Sequence, residues 1–199
     1  MSIQSDSPRG SRQPSFKMSS AQLGMYVFLV TLAVIFVANI VAYLITRANN
    51  REWRTAGLPE LPMGLWLSTL FIILISVSGH GALRALKANR FSLFKTWMRA
   101  MLGLAVAFLV AQGANWHSMT MIGSTATLRN LYSFTFFMLT GLHALHVLGG
   151  FVPIGIVLSK AQKNRYSSSR FEGVSLCVQY WDFLGVVWLV LLATLYAVT

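Results

Sequence analysis

Five long apolar stretches divide the chain: residues 21–46, 63–83, 100–116, 131–158 and 174–198, each separated from the next by a short hydrophilic gap. A bilayer core takes about 20 apolar residues as helix, with about 17 as the lower end of the range. Lipid offers no partner to a free N–H or C=O, so each stretch is predicted to be helical. The predicted fold is all-α: an integral membrane bundle of five transmembrane helices. Residues 1–20 hold seven serines, two prolines and few apolar side chains, and are expected to form a disordered cytoplasmic tail. Residues 21–199 form one membrane domain.

The polar positions refine this pattern. Ser19 or Ser20 can cap the first helix, which is expected to end near Arg47. The first stretch is too long for a signal-peptide core and is read as a retained anchor. Residues 47–62 include Pro59 and Pro62 and read as an external loop, with Pro62 where a helix can begin. The second helix runs into the basic segment 82–87, and a short basic connection leads to the third. There Gly103, Ala107 and Ala111 recur every four residues, which predicts a small-residue packing face. Residues 123–127 read as an external loop, Pro153 as a kink supported by neighbouring helices, and 160–170 as a basic cytoplasmic loop. No internal repeat is visible, so a transporter built from inverted repeats has no support.

Composition agrees with a membrane protein: 55% of the 199 residues are hydrophobic and only 11% charged. A net charge of +11 would suit nucleic acid, but its distribution does not. Twelve of the sixteen Lys and Arg residues fall before the first span and in the second and fourth gaps. They are Arg9, Arg12, Lys17, Arg84, Lys87, Arg90, Lys95, Arg99, Lys160, Lys163, Arg165 and Arg170. The other four, Arg47, Arg51, Arg54 and Arg129, fall on the opposite side. This bias places the N-terminus in the cytoplasm and, after five spans, the C-terminus outside. The charge is topological and attracts anionic lipid, so no nucleic-acid partner is expected. Cys177 is the only cysteine, which excludes an intrachain disulfide and a cysteine-based metal site.

Polar groups inside spans are the candidates for function: Asn39, His80, Gln112, Asn115, His117, His143, His146, Gln179 and Asp182, with Glu172 opening the fifth helix. His143 and His146 are three apart and share a helix face. A haem held between two helices needs histidines at matching depth. His80 lies near the cytoplasmic end of its helix, His117 near the outer end, and His143 and His146 near the middle. A two-histidine metal site would need a nearby carboxylate, and only Asp182 and Glu172 are available. Bonding between helices or to lipid is therefore the preferred role of His143 and His146, with no metal bound. An ionised, unpaired Asp182 in lipid would cost roughly 3 kcal/mol or more, so it is paired, protonated or near the interface. It is the candidate for a partner contact or proton movement. No nucleophile motif, phosphate-binding loop or Cys/His cluster is present.

Two C-terminal segments carry a resemblance. Thr140-Gly141-Leu142-His143-Ala144-Leu145-His146-Val147-Leu148-Gly149-Gly150 resembles the T-G-x-H-x-x-H-V-x-x-G stretch of cytochrome c oxidase subunit III. Tyr180-Trp181-Asp182-Phe183-Leu184-Gly185-Val186-Val187-Trp188 resembles that family's Y-W-H-F-x-D-V-V-W. Residues 23–29 resemble the opening of its glutamate-bearing helix, and residues 80–86 and Gln112-Gly113 also fit. The likeness runs in order over about 21–199, with five helices as in the short bacterial and quinol-oxidase forms. The departures are specific: the family's intramembrane glutamate falls at Leu32, its His and Asp at Asp182 and Gly185, and a glutamate near Gln112 at Asn115.

The resemblance implies a divergent accessory subunit of a haem-copper terminal oxidase, a proton-pumping complex of aerobic respiration in the cell inner membrane. Such a chain binds no haem or copper itself. It docks on subunit I and other oxidase subunits that hold them, retains phospholipid between its helices, and supports assembly and stability. Lys160 and Lys163 fall where the family has basic residues near lipid headgroups. Proton supply that depends on the family's glutamate is not available to Leu32. The related accessory protein of nitric oxide reductases shares the fold. A b-type haem carrier using the four histidines and a small proton or solute transporter using Asp182 are readings from other classes.

Overall fold

A computed structural model describes residues 19–50, 61–122 and 131–198. Five helices account for nearly all of them: α1 Ser20–Ala48, α2 Gly64–Lys87, α3 Phe91–Ile122, α4 Leu131–Gln162 and α5 Glu172–Val198. All five are long and apolar enough to cross a membrane. The shortest has 24 residues, which at about 1.5 Å per residue spans a hydrocarbon core of about 30 Å. The expected tail up to residue 18, most of the loop 47–62 and the loop 123–127 lie outside the described residues.

The boundaries extend beyond the apolar stretches where charge begins. α3 starts at Phe91, not near residue 100, and carries Lys95 and Arg99 within its first turns. Phe94 and Met98 on those turns are buried while Arg99 is exposed. A helix needs only its own backbone bonds to continue past the hydrocarbon, so amphipathic turns follow where the apolar run ends. α4 likewise includes Lys160 and ends at Gln162.

Capping residues set the ends. Ser19 is the N-cap of α1: its side chain accepts from the Gln22 amide, and the Gln22 side chain accepts from the Ser19 amide, a complete capping box. α2 and α4 stop in the same way as each other. Asn89 and Asn164 adopt positive φ values of 57° and 51°. The Arg90 amide bonds back to the Ala85 carbonyl and the Arg165 amide to Lys160, at 2.9 and 3.0 Å. Asparagine tolerates this left-handed position, and the six-to-one bond satisfies a terminal carbonyl.

α2, α3, α4 and α5 pack as a ring, each touching the next, with α2·α3 the most extensive pair. α1 lies outside the ring against α5 and, less extensively, α4. Its outer face, including Leu23, Val27, Val30, Val34 and Val37, is exposed and apolar, as a lipid-facing helix requires. The core is aromatic where α4 meets α5. Trp181 and Trp188 are almost fully buried. A Cβ on Gly150 would sit 2.7 Å from the Trp181 ring, so glycine is what lets α5 approach here.

α4 passes through Pro153 as one helix. Proline removes a backbone donor from the turn before it. Two α5 side chains donate into that region: Tyr180 Oη to the His146 carbonyl at 2.8 Å and Trp181 Nε1 to the Gly150 carbonyl at 3.3 Å. Both bonds come from a neighbouring helix and hold α5 against α4 beside the proline.

Side-chain bonds also tie the ring together. Asn115 Nδ2 donates to Ser68 Oγ at 3.2 Å, Trp116 Nε1 to Thr140 Oγ1 at 3.0 Å, and Trp188 Nε1 to Thr69 Oγ1 at 3.0 Å. They link α3 to α2, α3 to α4 and α5 to α2, each worth about 0.6–1.7 kcal/mol in lipid.

The predicted small-residue face behaves differently. Gly103 is exposed with open space around it, and Ala107 and Ala111 are half-buried. The face of α3 that enters the ring is Met101, Ala105, Phe108 and Gln112. Large side chains fill the interior there, so the small stripe is left turned away from it.

Candidate functional site: an intramembrane polar groove

Asp182 is half-exposed on α5, facing α2. Its Oδ2 lies 3.0 Å from His80 Nε2, and Ser76 Oγ donates to Oδ1. Ser76 and His80 are four apart on α2, so one face presents both to the carboxylate. The three line a groove of about 450 Å³ whose walls are Ile73 and Val77 on α2 and Val186 and Leu189 on α5. Arg84 lies at one end, and Gly185 sits one turn from Asp182. Of the three states open to Asp182 from sequence, the structure shows pairing, and the partner is a histidine from another helix. The two positions where the resemblance expects His and Asp, Asp182 and Gly185, both line this groove. Here the histidine comes from α2.

His143 and His146 diverge despite sharing a helix face. His143 points into the ring, fully buried, with ring centroids of Trp188 at 5.2 Å, Phe108 at 5.8 Å and Phe36 at 6.2 Å. Neither ring nitrogen has a hydrogen-bond partner among the described residues. His146 faces α1: its Nδ1 lies 2.7 Å from the Leu142 carbonyl of its own helix, and its ring packs 5.0 Å from Phe36. The two histidines therefore hold α1 and α5 to α4 through aromatic contact rather than interhelical hydrogen bonds. His146 also lines a groove of about 380 Å³ with Leu32, Gly149, Pro153 and Tyr180. Leu32, where the resemblance expects a glutamate, is buried in that groove's wall.

Asn115, the other displaced glutamate position, is buried and bonded to Ser68. Gln112, one turn before Trp116, is buried without a partner for its amide among the described residues. His117 is exposed near the far end of α3. Asn39 donates to its own helix at Ile35, 2.9 Å away. Among the described residues, no three His, Cys, Asp or Glu side chains are grouped so as to hold a metal ion.

One end of the bundle gathers the start of α1, α3 and α5 and the end of α2 and α4. Ser19 donates to Glu172 there, joining the cap of α1 to the first turn of α5. Lys95 Nζ donates to Asn164 Oδ1 at 3.2 Å, and Lys87 lies 4.8 Å above the Phe171 ring. Lys160, Arg165, Tyr166, Arg170 and Glu172 line a polar pocket of about 840 Å³. Lys163 is exposed beside it. Burial, and after it the nearby Cys177, raises the pKa of Tyr166.

The family model for cytochrome c oxidase subunit III matches residues 5–199. The chain belongs to the cytochrome c oxidase subunit III family. It is 33% identical over 175 residues to "Cytochrome c oxidase subunit 3" of Synechocystis sp., covering 87% of this chain and 73% of that protein. It is 27% identical over 187 residues to the Thermostichus vulcanus protein of that name, covering 94% and 89%. The Corynebacterium diphtheriae protein is 30% identical over 180 residues, covering 87% and 86%. This subunit III family member is thus a subunit of a haem-copper oxidase of the respiratory chain, a multi-pass protein of the cell inner membrane.

The resemblance motifs mark what the structure builds with them: the His143/His146 stretch seats α1 and α5, and the Asp182 stretch forms the polar groove. Two residues of these contacts carry no distinct mark along the chain: Ser76, the partner of Asp182, and Thr69, the acceptor of Trp188. A hydroxyl at four residues from His80 is a weak signal, because serine on an apolar helix also bonds its own backbone.

Proposed function

We propose that this subunit III family chain is an accessory, non-redox subunit of a haem-copper terminal oxidase, docked on subunit I, giving assembly, stability and phospholipid binding. Haem and copper belong to the partner subunits. The observation that carries the reading is the family match over almost the entire chain, on a bundle whose outer surface is apolar. The N-terminus and the basic end face the cytoplasm, as the charge bias directs. Lys160, Arg165 and Arg170 around Tyr166 suit a phospholipid phosphate at that surface, with Lys163 beside them. Glu172, bonded to Ser19, holds the pocket's edge.

The test is purification of the chain tagged at Met1 in mild detergent, with a reduced-minus-oxidised visible spectrum and identification of co-purifying subunits. A large haem-copper subunit in stoichiometric amount, with haem bands that the isolated chain lacks, is the expected result. Recovery of this chain alone and colourless would exclude the reading. A nitric oxide reductase as the partner would assign it to that complex; the displaced carboxylates at Leu32 and Asn115 give that outcome its interest.

A further inference from the structure

The Ser76–His80–Asp182 groove opens on the outer face of the bundle, within the second and fifth apolar stretches and toward the basic end. His80 is seven residues before Lys87, about 10 Å along α2, and Asp182 ten residues after Glu172, about 15 Å along α5. There, 54% of the His80 side chain and 33% of that of Asp182 are exposed. His80 Nδ1 has no partner among the described residues.

Three other polar side chains on the outer surface are finished locally. Thr31 donates to the Val27 carbonyl at 3.0 Å, Asn39 to Ile35 at 2.9 Å and Thr194 to Val190 at 2.8 Å, each within its own helix. Such groups sit in lipid without unmet bonds. The histidine and carboxylate are not finished in this way, and an acyl chain can offer them nothing.

The shape of the groove points the same way. Its α2 wall runs from Ile72 to Arg84, about 18 Å or more than three helical turns. On the α5 side Gly185 has open space where a Cβ would stand, and a small residue at that place lets a second backbone come close. Exposed Ile73, Val77, Val186 and Leu189 flank it as apolar ridges.

We propose that the groove between α2 and α5 seats one transmembrane helix of the partner oxidase subunit, which presents a hydrogen-bonding side chain to Ser76, His80 and Asp182. This rests on the accessory-subunit reading above and names the face by which the chain docks. The apolar ridges give the helix its contact area, and the polar cluster fixes its depth and rotation.

The test compares complexes purified through the tagged chain. His80→Leu with Asp182→Leu removes both ionisable groups together and leaves neither one unpaired. Recovery of the haem-copper subunit is expected to fall about tenfold or more, as for loss of a hydrogen-bonded interfacial pair. Unchanged recovery would overturn the proposal. Should that variant not fold, Val77→Cys and Leu145→Cys, exposed on the groove and on α4 respectively, carry a maleimide photo-crosslinker in membranes. The native Cys177 is buried and does not compete. A crosslink to the partner from Val77→Cys and not from Leu145→Cys is expected. Equal yields, or a lipid adduct as the product at Val77→Cys, would overturn the proposal. If the unmodified chain brings down no haem-copper subunit, the accessory reading itself fails, which is a separate result.

Discussion

At the residue scale, a few side chains decide where helices can touch. Gly150 is the sharpest case. Its missing Cβ leaves room for the Trp181 and Tyr180 rings, which in turn serve carbonyls ahead of Pro153. Gly150→Ala must push the indole aside, and overpacking of this kind costs about 1–3 kcal/mol. Thermal unfolding in detergent is expected to show a lowered Tm, with Gly155→Ala, which has open space, close to wild type. An equal loss at both positions would locate the sensitivity in the helix backbone rather than in the Trp181 contact. The two histidines illustrate what spacing can and cannot tell. A three-residue interval places His143 and His146 on one side of α4, but one turns into the ring and the other toward α1. Only the position of Phe36 between them makes both part of one contact.

At the scale of elements, the helices were legible and their ends less so. Apolar runs revealed all five, because lipid forces any such run to be helical. The start of α3 was not legible that way, since Phe91–Arg99 is amphipathic and carries Lys95 and Arg99. The cap of α1 was, and it carries a testable weight. Ser19 both accepts from Gln22 and donates to Glu172, so it closes α1 and pins it to α5. Because α1 has the least extensive packing in the bundle, this end contact matters more than it would for α5. Ser19→Ala is expected to cost about 1 kcal/mol through the lost cap. Hydrogen exchange should localise the effect to the first turns of α1, with the ring helices unaltered. Uniform destabilisation across all five helices would contradict the peripheral placement of α1.

At the scale of the whole molecule, the basic residues of the second and fourth gaps converge on one end. They do so because successive antiparallel crossings bring the start of α3 and the ends of α2 and α4 together, as Lys95–Asn164 and Lys87–Phe171 record. The bias of twelve to four predicts that this end is cytoplasmic. In sealed, right-side-out vesicles a tag after Thr199 is expected to be cut by external protease, and a tag before Met1 to be protected. The reverse pattern would invert the assignment and place the basic pocket outside.

Class, number of spans and family all follow from the chain read in one dimension. Each depends on runs and motifs along it, and the bilayer leaves an apolar run only one structure to adopt. The same reading singles out Asp182 as a charge that must be answered. What answers it could come only from the packing of helices, because His80 and Ser76 lie about a hundred residues away and meet Asp182 only where α2 lies against α5. The small-residue stripe of α3 makes the same point. Periodicity shows that Gly103, Ala107 and Ala111 share a face, but which face enters the ring depends on competition with Met101 and Phe108. Those side chains fill more of the interior per turn and so make more van der Waals contacts there, which turns the small stripe outward.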